Sequence, residues 1–170
     1  MTDLALLPAQ YRFIFNNWCS PHNKPLLLIT VINGRITIKR FIFLQYSISF
    51  DEKISTFKYT TKGLFDTRVD ESALSALVSH PHWKKGCKLL VDHSNISTNR
   101  LTFKDISHVA ELGAKYFAKQ PPSVIAILVE GTEANGLATC WETVFSGLSS
   151  PKTGIFTDLH LAEDFLLKVK

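Results

Sequence analysis

The sequence predicts an α/β fold: a mixed sheet that opens with an antiparallel hairpin and continues with parallel strands, in the order β-β-α-β-α-β-α-β-α. Three observations predict it. A short apolar run, Cys87-Lys88-Leu89-Leu90-Val91-Asp92, lies between a turn holding Pro81, Trp83 and Gly86 and a polar stretch that opens a helix. A second run, Ser123–Val129, is nearly continuous in apolar residues, the pattern of a strand covered on both faces. Around them, helical periods alternate with strand-like runs. Alternation at these lengths means parallel strands joined by right-handed crossovers.

A chain of 170 residues that is 45% hydrophobic makes one domain with a real core, and it has room for an appendage. Residues 1–44 read as that appendage, a basic and apolar extension, and residues 45–170 as the α/β domain. The first 50 residues carry Arg12, Lys24, Arg35, Lys39 and Arg40 against Asp3 alone, which accounts for the whole net charge of +4. The rest of the chain is neutral, so nucleic-acid binding would rest on the extension only, and we expect none. The charge-free stretch between Lys24 and Arg35 is shorter than the ~18–20 apolar residues a membrane span needs. No signal-peptide pattern precedes it. Three readings stay open for residues 1–44. One is a weakly amphipathic anchor. Another is a hairpin, with Leu28–Ile32 and Ile36–Ile38 joined by the tight-turn pair Asn33-Gly34. The slightly favoured one is translated upstream sequence, poorly ordered and not part of the natural protein.

From Gln45 the elements follow in order. Tyr46, Ile48 and Phe50 alternate with Ser47 and Ser49, a half-buried strand of period two. Asp51-Glu52-Lys53 turns the chain into Ile54–Thr61, with Phe57 and Tyr59 on one face, and Gly63 ends that strand. Thr67 and Asp70 have capping-box spacing for a helix that buries Ala73, Leu74, Leu77 and Val78. Pro81 stops it. After the central strand, His93–Asn99 reads as a polar loop. Thr102 and Asp105 form a second capping box for a helix with Ile106, Val109, Ala110, Gly113, Ala114 and Phe117 on one face. Pro121-Pro122 ends it. A third helix after Thr132 carries Leu137, Cys140, Trp141, Val144 and Phe145 on one side. Gly154–Thr157 is a short last strand, and Asp158 caps a final helix.

This order, with His80-Pro81-x-Trp83-x-x-Gly86, Leu89-Leu90-Val91-Asp92 and Phe156-x-Asp158-x-x-x-Ala162-x-x-Phe165-Leu166, resembles the SpoIIAA-like branch of the STAS domains (sulphate transporter and anti-sigma factor antagonist). The resemblance spans about Gln45 to Lys168. It implies a cytoplasmic, non-enzymatic domain that acts through protein partners or small anionic ligands. One departure stands out. Anti-sigma factor antagonists carry a phosphorylatable serine in an Asp-Ser-Ser-Gly-like motif at the start of the helix after the central strand. Here that region reads Asn99-Arg100-Leu101-Thr102-Phe103-Lys104-Asp105, and Thr102 is the comparable hydroxyl.

Ligands of open α/β sheets bind beyond the carboxyl ends of the strands. The candidate site is therefore Asp92, His93, Ser94 and Thr102 after the central strand, with Glu130, Thr132 and Asn135 after its neighbour. Helix starts there offer free N–H groups and a positive dipole end to an anion. The competing structural reading has Asp92 satisfying loop donors and Thr132 capping a helix. Three adjacent residues do not build a catalytic triad, and no Gly-x-Ser-x-Gly elbow is present. Gly131 and Gly136 have phosphate-loop spacing, but Leu137-Ala138 stands where lysine and a hydroxyl residue are needed. His80, His82 and Cys87 surround a proline turn and lack a fourth ligand at fixed spacing, so we expect no metal and no cofactor. Trp83 and Trp141 read as packing, and Cys87 and Cys140 as small apolar core residues. An odd, scattered set of three cysteines fits a reducing, cytoplasmic setting. The expectation is a non-catalytic regulatory or binding module that presents these loops to a partner protein or a small anionic ligand. The alternative is a small carrier of a lipid or other apolar ligand, which requires a cavity of ~300 Å³ or more.

Overall fold

A computed structural model describes residues 26–32, 35–41, 44–98 and 101–169. The chain divides into two compact units, Met1–Phe43 and Leu44–Lys170. In the first, β1 (Leu26–Ile32) and β2 (Arg35–Phe41) pair antiparallel, with Ile32 opposite Arg35. This is the geometry of the hairpin reading; Asn33 and Gly34 lie outside the described residues.

The second unit holds a five-stranded sheet in the order β3-β4-β5-β6-β7: Gln45–Asp51, Thr56–Leu64, Lys88–Ser97, Val124–Leu128 and Lys152–Phe156. β3 pairs antiparallel with β4, and every later pair is parallel. The helices are α1 (Thr67–Val78), α2 (Phe103–Phe117), α3 (Thr132–Ser146) and α4 (Leu159–Lys168). The mixed α/β architecture is the one the sequence predicts, with the Leu89–Val91 run in the middle strand.

Strand order follows chain order, and each parallel crossover carries one helix. Right-handed crossovers that advance in one direction place their helices on one face. Accordingly, Phe57, Tyr59 and Leu89 pack with Ala73 and Leu77 of α1, Phe117 of α2 and Phe145 of α3. The other face is left to α4, where Leu90, Val124 and Ala126 meet Ala162 and Leu166. β6 is buried at all five positions, which explains its unbroken apolar run.

The residues behind the family likeness have structural work. Trp83 stacks on Phe117 and its Nε1 donates to the Gln120 carbonyl at 3.2 Å. Gly86 has φ +85°, a left-handed conformation that favours glycine. Asp158 caps α4 by accepting from the Leu161 amide, and Phe165 packs on Phe156. Gly154 permits that contact: a Cβ there would lie 2.8 Å from the Phe156 ring.

Several boundaries differ from the sequence reading. Gly63 does not end β4; it takes φ +104° and stays paired, opposite Ile96, as the strand runs to Leu64. Asp66, not Thr67, caps α1, its carboxylate accepting from the Arg68 amide at 3.0 Å. Gly131 is the N-cap of α3, so Thr132 is its first helical residue rather than its cap. The buried stripe of α3 is Ala134, Ala138 and Phe145, with Trp141 and Val144 packed at its margin. His93–Ser97 is strand, not loop, because β4 continues far enough to pair with it.

Candidate functional site

The extension of β5 past β6 redistributes the candidate residues. Thr60 pairs with Asp92 and Lys62 with Asn95, so His93 and Ser94 together oppose Thr61 alone. That is a β-bulge on β5, a device that re-aims side chains. Strand alternation already separates the neighbours. Leu90 and Asp92 share the α4 face, while Leu89, Val91 and His93 look toward α1–α3.

Asp92 is buried at 8% exposure. Its carboxylate accepts from the Ser94 amide at 3.2 Å and the Ser94 hydroxyl at 2.7 Å, and Lys58 Nζ lies 3.4 Å away. Burial pushes its pKa up, but the Ser94 donors and the Lys58 charge outweigh burial and hold it below the usual carboxylate range. Asp92 and Ser94 therefore stabilise the bulge from the α4 face and do not project from the rim.

His93 belongs to a polar wall on the opposite face. Its Nδ1 lies 2.5 Å from Thr61 Oγ1, and its ring meets Tyr59 edge-on at 5.9 Å. Thr61 is 1% exposed, and its other partner, the Asp92 carbonyl, is at 3.4 Å. Thr61 has one hydroxyl proton: given to the Asp92 carbonyl, it leaves the ring proton on Nδ1, and given to Nδ1, it leaves the ring proton on Nε2. Burial lowers the His93 pKa to about 4, against the pull of Asp92. Beside it, Tyr59 Oη donates to Asp70 Oδ1 at 2.7 Å. Asp70 is 3% exposed, and burial raises its pKa to about 6 although the Tyr59 bond lowers it. Burial also raises the Tyr59 hydroxyl, as do the charge and hydrogen bond of Asp70.

The sequence reading missed Asp70 and Thr61 as site residues. A signal was there for Asp70: positions 70, 73, 74 and 77 form one helical stripe, and all four are buried. Asp70 fills an apolar position of α1, and the capping-box match hid that. Thr61 carried no signal, because only the bulge brings it to His93.

Thr102, Glu130, Thr132 and Asn135 are exposed around the carboxyl ends of β5 and β6. Thr102 caps α2 in a full capping box: Asp105 accepts from its amide at 2.9 Å and its hydroxyl at 2.6 Å. Next to it Phe103, the first residue of α2, is 64% exposed. A surface recess of about 330 Å³ lies alongside, lined by Leu64–Arg68, Ser97, Leu101 and Asp105. Asp66 and Asp105 already occupy the starts of α1 and α2, and Glu130 and Glu133 flank the start of α3. The predicted set thus divides into Asp92 with Ser94, His93 alone, and a rim of four.

Elsewhere, His82 stacks on Phe50 and sits 3.9 Å from Glu52, and Cys87 is buried. Among the described residues no cluster of three or more His, Cys, Asp or Glu is arranged to hold a metal ion. No helix among them is long and apolar enough to cross a membrane.

The class of protein that this geometry defines is a mixed α/β domain with a five-stranded sheet, three helices on one face and one on the other. No protein-family model matches the chain, and no curated protein matches it. Among solved structures, an uncharacterized protein from Shewanella loihica PV-4, described as a DUF3478 family member with a SpoIIAA-like fold, is similar to it. Sequence identity is 18% and the TM-score 0.46, over 72% of this chain and 93% of that one.

Proposed function

We propose that residues 45–170 form a non-catalytic binding module of STAS type, working in the cytoplasm, whose carboxyl rim docks a protein partner. The contact residues are Thr102 and Phe103 at the start of α2, with Glu130, Thr132 and Asn135 at the start of α3. The observation that carries this reading is Phe103, a large aromatic left 64% exposed at the first turn of α2. Aromatic anchors next to pockets dominate the energetics of protein interfaces. The acidic helix starts favour a partner with basic groups and disfavour the small-anion form of the reading.

One further observation supports a role without catalysis. The hydroxyl–imidazole pair of Thr61 and His93 has a buried hydroxyl and no group orienting Nε2 among the described residues, so it lacks the geometry of an activated nucleophile. The free thiols of Cys87 and Cys140 fit a reducing compartment. A lipid carrier finds less support, since the cavity between sheet and helices measures about 100 Å³.

The test is affinity capture from native extract with the intact chain, followed by direct binding of the captured protein. Phe103→Ala and Thr102→Glu should each weaken binding at least about tenfold, the loss of one interface anchor. Equal affinity of both variants and the parent would refute the rim.

A further inference from the structure

A cavity of about 100 Å³ lies between the sheet and the helices α1–α3. Leu74, Leu89, Val91, Ile106, Ile125 and Ile127 give it apolar walls, and Tyr59, Asp70 and His93 line it as well. It is several times the space one water needs and well below a drug-sized pocket. Two polar atoms of these lining residues have no hydrogen bond among the described residues. They are Asp70 Oδ2, whose partner oxygen serves Tyr59, and His93 Nε2, whose partner nitrogen serves Thr61. Among the described residues no sealed side-chain nitrogen or oxygen lacks a partner. Asp70, 3% exposed, and His93, half-buried, both line this cavity.

We infer that the cavity is a binding site for a small neutral molecule of about five heavy atoms, an apolar body whose one polar end donates to Asp70 and pairs with His93. The ligand donates to Asp70 Oδ2 and pairs with His93 Nε2, accepting from it or donating to it according to the ring tautomer. An anion would meet the Asp70 carboxylate, and a cation would lose its hydration among the apolar walls. A fully apolar ligand would leave both wall atoms unpaired, a loss that buried sites punish heavily. This site is separate from the rim and goes beyond its docking role.

The test uses the intact chain and follows amide shifts of the cavity residues by NMR during titration with three probes. Pyrazole has a donor and an acceptor side by side, thiophene has the same ring size without them, and isobutyrate is an anion. Pyrazole should bind in the millimolar range, thiophene at least about tenfold more weakly, and isobutyrate not at all. Ala138→Leu fills the cavity, whose wall includes Ala138, and should abolish pyrazole binding. Asp70→Asn keeps the volume and turns the open oxygen into a donor, and should weaken pyrazole at least about tenfold while sparing thiophene. Phe103→Ala should leave pyrazole binding unchanged, so failure here and failure of the rim are read separately. No pyrazole binding up to ~50 mM, the result for a merely hydrated void, would overturn the inference. So would equal binding of pyrazole and thiophene, or pyrazole binding unaltered by Asp70→Asn.

Discussion

Tyr59 Oη donates to Asp70 Oδ1 at 2.7 Å inside the core, pinning the middle of β4 to the first turn of α1. A buried carboxylate is costly unless paired, so this bond decides whether the stripe of α1 tolerates an acid. Tyr59→Phe should lower unfolding stability at pH 7 by about 2–3 kcal/mol and raise the Asp70 pKa further, because one partner stays buried alone. Tyr59→Phe with Asp70→Leu should recover most of that loss. Denaturant unfolding checks both, and a cost below about 0.5 kcal/mol for the single change would show that Asp70 is not held by this bond.

Asp70 and His93 are expected to oppose each other in pH dependence. The folded pKa of Asp70, about 6, lies above its ordinary 3.8, so stability is lost as pH rises from near 4 to near 6. The folded pKa of His93, about 4, lies below its ordinary 6.5, so stability is lost as pH falls through the same window. The slopes offset, and the parent should vary little there. Asp70→Asn should expose a gain of about 3 kcal/mol between pH 4 and 6.5, and His93→Gln a fall of about the same size between pH 4 and 6. Asp66, Asp92 and Asp105, all held below the usual carboxylate range, act at lower pH. Identical pH profiles for parent and variants would contradict the wall.

At the rim, stability and binding should separate. Thr102→Ala removes the reciprocal capping box of α2 and should cost about 1 kcal/mol. Phe103→Ala touches an exposed ring and should change stability by less than about 0.5 kcal/mol, yet lose partner binding. Thermal unfolding beside a binding titration distinguishes the two.

We also propose that residues 44–170 fold alone. Every strand of the five-stranded sheet lies within them. Removing residues 1–43 should leave a cooperative transition. Loss of cooperativity on truncation would overturn this.

Much of the architecture was legible because local signals and global order agree. The unbroken run of β6, the Thr102–Asp105 box and the Asp158 cap each have one structural solution. The site was less legible for a physical reason. Reading His93–Asn99 as loop followed from its polarity, but a strand can carry polar residues where a neighbouring strand pairs with it, and β4 does so through Leu64. Pairing length is a tertiary property. It moved Asp92 and His93 from one rim to opposite faces, and it brought Thr61, silent in the sequence, to the imidazole. Asp70 was legible in principle, since an acid on an apolar stripe demands a buried partner. Its spacing from Thr67 satisfied a commoner pattern first.

Titration of the His93 ring by NMR tests the placement of β5 most directly. With His93 on the helix-covered face, held by Thr61 and desolvated, the ring should stay neutral down to about pH 4. A midpoint near the ordinary 6.5 would put His93 in solvent and remove the polar wall together with the cavity site that depends on it.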